Sequence, residues 1–507
     1  MTDAAADVAG TSTGSSPGNS STTGLPPAAA DSLMRVVTGA RWFAGKGRRP
    51  ELRSFTPLPW LNHPPSAGTH AEGPDADEVP RVRLAVLEVA YPDEAGAPGD
   101  GAADAPAPGV EHYQLALAHR HHRPPAGVSS ATELYVDGDT VVYDATQDVG
   151  GARVLLQALL AGTSVGDESG GVRFHLRDTA ALTPDLEPRV FRGQQSNTSV
   201  MFGDVAMLKL FRRLELGRNL DIQVHAALND AGMTDVARLF GSVEATWTRD
   251  GEVLGADLAM CVEKLADAVD GWDLALASLE AETGGTAREH GSPAGSDTGF
   301  AVHAEALGRA LAEVHEALRT AFGTAAQAGS DVAATMTQRL AAARAIAPAL
   351  APYADGLRAR FDALAATELD AQRVHGDFHL GQTLHTPSGW KIIDFEGEPA
   401  KTLAERVAPD SVWRDVAGMM RSFDYAAASV PGDAAGAWRD GCRDAFLSGY
   451  TGGRGLAPDD AGLLAAYEAD KAVYEVVYEV RNRPDWVGIP LAAVATLAAP
   501  TPGATGR

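Results

Sequence analysis

The chain has 507 residues, and its 67 Asp+Glu against 42 Lys+Arg give a formal net charge of -25. So acidic a protein is a poor partner for nucleic acid or an anionic membrane, both of which need a basic face, but it can hold a small anion in one local basic pocket. Two cysteines, Cys261 and Cys442, form no disulfide framework and stand in no metal-ligand spacing. No stretch of ~18 apolar residues predicts a membrane-spanning helix, and the N-terminus lacks the basic start and apolar block of a signal peptide, so a cytoplasmic location is expected. Apolar residues make up 45% of the chain but aromatics only 6%, which predicts a core built on Ala, Leu and Val.

Residues 1–28, rich in Ala, Gly, Ser, Thr and Pro, carry no hydrophobic period and read as a disordered tail. A helix is predicted around Asp31–Thr38, followed by Arg41–Arg48, a basic and aromatic island in an acidic protein. Arg81–Val89 and His112–Ala118 alternate with a period of two and read as strands, separated by Pro/Gly-rich loops at 62–80 and 92–110. Residues 29–125 are therefore expected to form an N-terminal cap. Short strands at Leu134–Val136 and Thr140–Tyr143, a helix at Ala152–Ala161 and a strand at Val172–Leu176 open an intermediate unit, 126–265. It continues with a hairpin, Val190–Phe211, turning at Gly203-Asp204; a helix at Asp221–Asp230; and a second hairpin turning at Arg249-Asp250-Gly251. From 266 to 495 the chain is mostly helical, with an insertion at 283–299, helices at about 300–322, 332–351, 354–366, 411–428, 433–450 and 458–480, and short strands within 372–395. A flexible tail, 496–507, is expected to close it.

The densest chemical signal is Val374-His375-Gly376-Asp377-Phe378-His379, with Gln382 five residues after Asp377 and Asp394 following an apolar strand, Trp390–Ile393. Phosphoryl transfer asks for a carboxylate aimed at the acceptor hydroxyl and for hard oxygen ligands that hold magnesium. Asp377 is thus the candidate catalytic base, and Gln382 and Asp394 the candidate Mg2+ ligands. The upstream half should then hold ATP. Gln195, Ser196, Asn197 and Thr198 would arch over the phosphates, Lys209 in the strand Met207–Phe211 would contact them, and Glu263 and Leu265 would meet adenine where the small sheet ends. The partner of Lys209 is left open between Gln223 and Asp221. In the helical part, Tyr474 and Tyr478 share one face at i, i+4 spacing and Arg481 follows them, a constellation able to stack on and hydrogen-bond a sugar. His379 is a further substrate candidate, whereas His315 on an apolar helix face reads as structural. The basic residues of Arg41–Arg48 are expected near the hairpin around Gln195–Thr198.

These motifs, with Arg414–Tyr425, Asp270–Asp273 and Tyr474–Pro484, resemble bacterial maltokinases of the aminoglycoside-phosphotransferase-like kinase superfamily over about 30–495. The resemblance implies an α+β, bilobal kinase-like fold: a β-rich cap, an intermediate ATP-binding subdomain and a mostly helical C-lobe. It implies ATP-dependent phosphorylation of maltose to maltose 1-phosphate, on an α-glucan route from trehalose, with trehalose synthase as a candidate partner and a monomeric chain. The alternative is another sugar or amino-sugar kinase of the superfamily, such as a glucosamine kinase. A non-catalytic pseudokinase is disfavoured because Asp377, Gln382, Asp394 and Lys209 are all present.

Overall fold

A computed structural model describes residues 24–62, 79–92, 109–121, 132–168, 170–179, 181–191, 197–282, 299–398, 401–430, 432 and 434–499. Outside them lie most of the expected N-terminal tail, nearly all of the three insertions, the end of the C-terminal tail, and two residues of the phosphate turn, Gln195 and Ser196.

The architecture is α+β and bilobal, as expected. The first helix, Pro27–Gly39, opens with proline in its first turn and buries Ala29, Leu33 and Val37; it starts inside the stretch read as a tail, because Ala-rich sequence has helix propensity once an apolar stripe can dock. It covers an antiparallel sheet in the order Glu51–Trp60, Arg81–Ala90, Val110–Arg120, Thr140–Asp144, Glu133–Asp137, with Arg213–Leu214 added to Val110–Arg120. The strands Glu133–Asp137 and Thr140–Asp144 were assigned to the intermediate unit. Instead Leu117 to Arg120 pair with Asp144 to Val141, so the first sheet runs past the boundary at 125.

The second sheet has seven strands: Ser164–Asp167, Gly170–Leu176, Leu239–Arg249, Glu252–Glu263, Ala206–Leu210, Thr198–Phe202 and Pro188–Val190. Both expected hairpins are in it. In the first, Lys209 pairs with Ser199 and Leu210 with Thr198. Directly opposed residues share a face and successive residues alternate, so Lys209 and Ser199 face one side and Thr198 the other. The helix Leu220–Asp230, capped by the Asn219 side chain on the Ile222 N–H, packs beside this sheet.

The C-lobe core joins the helices Phe300–Phe322, Gly329–Ile346, Ala354–Asp362, Trp413–Ser429, Ala435–Thr451 and Pro458–Asn482, close to the predicted positions. A final helix, Gly488–Ala498, extends into the stretch read as a flexible tail, with Val494 fully buried. Between the lobes, Thr383–Thr386 and Gly389–Ile392 form a tight hairpin joined by Val269–Asp270. This hairpin and the loop before it place the chemistry.

Candidate active site

The loop at His375–His379 is held from beneath by one carboxylate. Asp415, wholly buried at the start of the helix Trp413–Ser429, accepts the His375 N–H at 2.7 Å and the Gly376 N–H at 2.8 Å. It also lies 3.0 Å from Nε2 of His315, whose Nδ1 meets the Tyr450 hydroxyl at 2.9 Å. His315 is therefore structural, as read. Gly376 has φ +85°, a conformation that favours glycine, and its carbonyl accepts from Arg414 Nε at 3.1 Å. Gly418 allows the helix to lie against this loop, since a Cβ there would meet the Phe378 carbonyl oxygen at 2.4 Å.

The loop presents Asp377 to a small cleft of about 80 Å³, lined also by Glu398, Lys401, Arg414, Asp470 and Tyr474. Lys471, from the long helix Pro458–Asn482, reaches Asp377 Oδ1 at 3.1 Å. Burial alone would raise the Asp377 pKa, but Lys471 and then His379 outweigh it and hold the carboxyl below its ordinary value. Asp377 is thus ionised and able to accept a proton. His379 sits beside it, its Nδ1 accepting the Gly381 N–H at 3.1 Å, and burial lowers its pKa. That bond braces the loop.

Across the cleft, Lys209 Nζ meets Glu396 at 2.9 Å, Asp221 at 3.3 Å and Asp394 at 3.6 Å. Burial opposes its charge, yet Glu396, Asp221 and Asp394 together raise its pKa above that of a free lysine. Asp221, not Gln223, is therefore the helix partner; Gln223 donates to the Arg218 carbonyl instead. A second Asp221 oxygen accepts the Phe395 N–H at 3.1 Å, which ties this helix to the loop that carries Asp394. Asp394 has φ +66°, a left-handed backbone that aspartate tolerates. Its Oδ2 accepts from the Gln382 side-chain amide at 3.3 Å. The two predicted metal residues are therefore adjacent and offer an amide and a carboxylate oxygen, a hard donor set that suits Mg2+. Asp221, Asp394 and Glu396 bring carboxylate oxygens within 4.8 Å of one another.

The remaining candidates divide. Glu263 ends its strand and accepts the Arg238 N–H at 3.3 Å, and Leu265 packs against the hydrophobic cluster of the second sheet. Asn197 and Thr198 do not face the cleft: the Arg212 N–H donates to Asn197 Oδ1 at 3.3 Å and Arg212 Nε to the Thr198 hydroxyl at 2.7 Å. Thr198 is on the face opposite Lys209, so its hydroxyl serves a buried polar cluster, and the phosphate role assigned to it fails on strand alternation. Tyr474 and Tyr478 are half-exposed and stack on each other, centroids 6.5 Å apart at 29°. Lys471 Nζ stands 5.3 Å from the Tyr474 ring centre, and Arg483 covers Tyr478 at 5.5 Å. Arg481 is exposed, and it is Arg483, paired with Glu479 at 2.6 Å, whose guanidinium lies over the Tyr478 ring. Of the basic island, Arg41 and Trp42 reach the hairpin's outer face, but Lys46 is exposed and Arg48 stacks on Tyr91 at 3.3 Å and pairs with Glu111 at 3.1 Å. The phosphate role of those two basic residues does not survive.

Sequence reasoning missed Lys471 and Glu396. Both had a signal: Lys471 precedes Tyr474 by three residues and so shares its helix face, and Glu396 stands two residues after Asp394.

A model of the phosphotransferase enzyme family matches residues 189–456, just over half of the chain. A glucosamine kinase from Streptacidiphilus jiangxiensis is 32% identical over 322 residues, 58% of this chain and 70% of that protein. A second, from Mycolicibacterium smegmatis, is 28% identical over 323 residues, 60% of this chain and 77% of that protein. A solved structure of a glucosamine kinase with glucosamine, ADP and inorganic phosphate shares the fold, with a TM-score of 0.59 at 23% identity over 91% of this chain and 98% of that one.

Proposed function

The chain belongs to the phosphotransferase enzyme family, and on that premise we propose that it transfers the γ-phosphoryl group of ATP to an amino sugar of the glucosamine class. One observation carries the choice of acceptor: the relatives at 32% and 28% identity are both glucosamine kinases. This is the alternative raised by the sequence rather than its leading reading, maltose. Two features favour the smaller acceptor. The cleft beside Asp377 is small and most of its lining side chains are charged, and Tyr474 and Tyr478 stack on each other, centroids 6.5 Å apart, instead of forming one platform for two sugar rings. Asp470, paired with Arg339 at 2.7 Å, and Glu398, paired with Arg414 at 2.9 Å, are the other carboxylates of the cleft, and an ammonium group would share them with those cations.

In this reading Asp377 takes the proton of the attacking hydroxyl. Lys471 keeps that carboxylate ionised and offsets charge on the group in transfer. Lys209, held among Glu396, Asp221 and Asp394, is the cation that would meet the phosphates of ATP. Gln382 and Asp394 would hold Mg2+, which neutralises charge on the phosphate oxygens.

Incubation of the chain with ATP, Mg2+ and a panel of sugars, with NMR of the products, tests the proposal. Glucosamine phosphorylated on C6, at a kcat/KM well above that for maltose, is expected. Maltose 1-phosphate as the preferred product would overturn the amino-sugar reading and restore the maltokinase one.

A further inference from the structure

The three carboxylates around Lys209 come from two lobes: Asp221 from the helix Leu220–Asp230, and Asp394 and Glu396 from the loop after the C-lobe hairpin. Magnesium-bound ATP would meet both sides at once, so the spacing between them bears directly on nucleotide binding. Arg406, in the short helix Leu403–Val407, spans that gap with a nearly buried side chain. Its Nη1 donates to the Glu396 carbonyl at 2.9 Å, and its Nη2 pairs with the half-exposed Glu215 carboxylate.

Both anchors are themselves fixed. Glu215 lies on the segment that joins the strand of Lys209 to the helix of Asp221, and two residues later the Gly217 N–H donates to the Gly255 carbonyl at 2.8 Å, which docks that segment on the second sheet. On the other side the loop lies close on the stem of Arg406: Gly397 has φ +72°, and a Cβ there would meet Arg406 Cγ at 3.4 Å. A half-exposed ion pair adds little to stability, and Arg406 Nε–H, buried without a hydrogen-bond partner among the described residues, subtracts from it. Stability therefore does not account for this arginine. Its planar fork does, because it reaches two acceptors at once where a lysine offers one point charge.

We propose that Arg406 is a positioning residue of the nucleotide site, which sets the spacing between Lys209 and Asp394 for magnesium-bound ATP by clamping the Glu396 carbonyl to Glu215. The proposal rests on the phosphoryl-transfer reading and holds whichever sugar is the acceptor. Loss of the clamp falls on the nucleotide and not on the sugar, because the cleft beside Asp377 is lined by C-lobe residues and does not span the two sides.

Isothermal titration of the full chain with AMP-PNP in the presence of Mg2+ measures the clamp, and steady-state kinetics with the better of glucosamine and maltose gives the division between the two KM values. R406M should weaken AMP-PNP binding and raise the KM for ATP by about tenfold. R406K should do less, since it keeps one of the two contacts, and E215Q should cost about threefold. The KM for sugar should stay within about twofold of the wild type in all three. E215Q/R406M should be no worse than R406M, because the two residues act through one contact. Where R406M does not fold, E215Q, which alters a half-exposed side chain, decides. AMP-PNP affinity within about twofold of the wild type in E215Q and in R406M, equal increases in both KM values, or additive effects in the double variant would overturn the clamp alone. A wild-type chain that binds no AMP-PNP up to ~10 mM would overturn the phosphoryl-transfer reading and the clamp with it.

Discussion

Asp377 and Lys471 form a pair in which each sets the other's charge. Asp377→Asn removes the proton acceptor while keeping the shape, and kcat should fall by at least ~10²-fold; turnover near the wild type would end its role as base. Lys471→Met should lower kcat by about tenfold or more and also release Asp377 from the cation that opposes its burial. The carboxyl pKa then rises, so the acid limb of the kcat profile moves to higher pH; Lys471→Arg should restore much of its position. An unmoved acid limb in Lys471→Met would show that the pair does not act on the base. The sequence made Asp377, Gln382 and Asp394 legible because fixed spacing within one loop and one hairpin survives folding unchanged. It left the Lys209 partner open because a helix face depends on where the helix starts. With the start at Leu220, Asp221 turns inward and Gln223 outward, and Lys209→Met or Asp221→Asn should accordingly raise the KM for ATP far more than that for sugar.

At the scale of elements, the catalytic loop owes its shape to the first turn of one helix. Asp415 satisfies two loop N–H groups and His315, and those partners hold its pKa below the ordinary carboxylate value despite complete burial. A lowered folded-state pKa gives stability that is present above the unfolded value of ~3.9 and lost as pH falls through the folded one. Asp415→Asn places an amide against two donors and should cost about 3 kcal/mol of stability, measurable by urea unfolding at pH 7, with kcat falling as the loop loosens. The acid step from this group should be absent from the variant's stability profile. A change within about 0.5 kcal/mol, the range of an ordinary surface substitution, would remove Asp415 as the anchor. Long amphipathic helices such as Phe300–Phe322 were legible from period alone. The strand Glu51–Trp60 was not, because Pro57 and Pro59 interrupt its pattern; it is tolerated as the edge of its sheet, where a missing N–H costs little. The helix Gly488–Ala498 was missed for the opposite reason, being almost uniformly apolar with no polar face to set a period.

At the scale of the molecule, the expected cap is less separate than a boundary drawn along the chain suggests. Sheet membership is settled by pairing between distant residues, which composition cannot report, and the cap's outer strands were misassigned on that account. One hydrophobic cluster contains Leu58, Val82, Leu84, Val86, Ala116 and Ala118 of the first sheet together with Val200, Phe202, Leu208, Leu210, Leu258 and Met260 of the second. Polar ties cross the same seam. The Gln114 N–H donates to the Arg212 carbonyl at 2.8 Å and its side chain to Leu258 at 2.8 Å, Arg212 pairs with buried Asp144, and Arg249 pairs with buried Glu88. Opening this seam would expose apolar faces on both sides and leave Arg212 without its carboxylate, so the two sheets should unfold as one cooperative unit. Native-state hydrogen exchange checks this: amides in Arg81–Ala90 and Val110–Arg120 should share the opening free energy of those in Ala206–Leu210 and Glu252–Glu263. AMP-PNP, which on the proposed reading meets Lys209 of the second sheet and no strand of the first, should raise protection in both by the same amount, as linkage requires of a single unit. If the cap strands exchange first and their protection ignores the nucleotide, the cap is an independent module and the seam does not couple the two sheets.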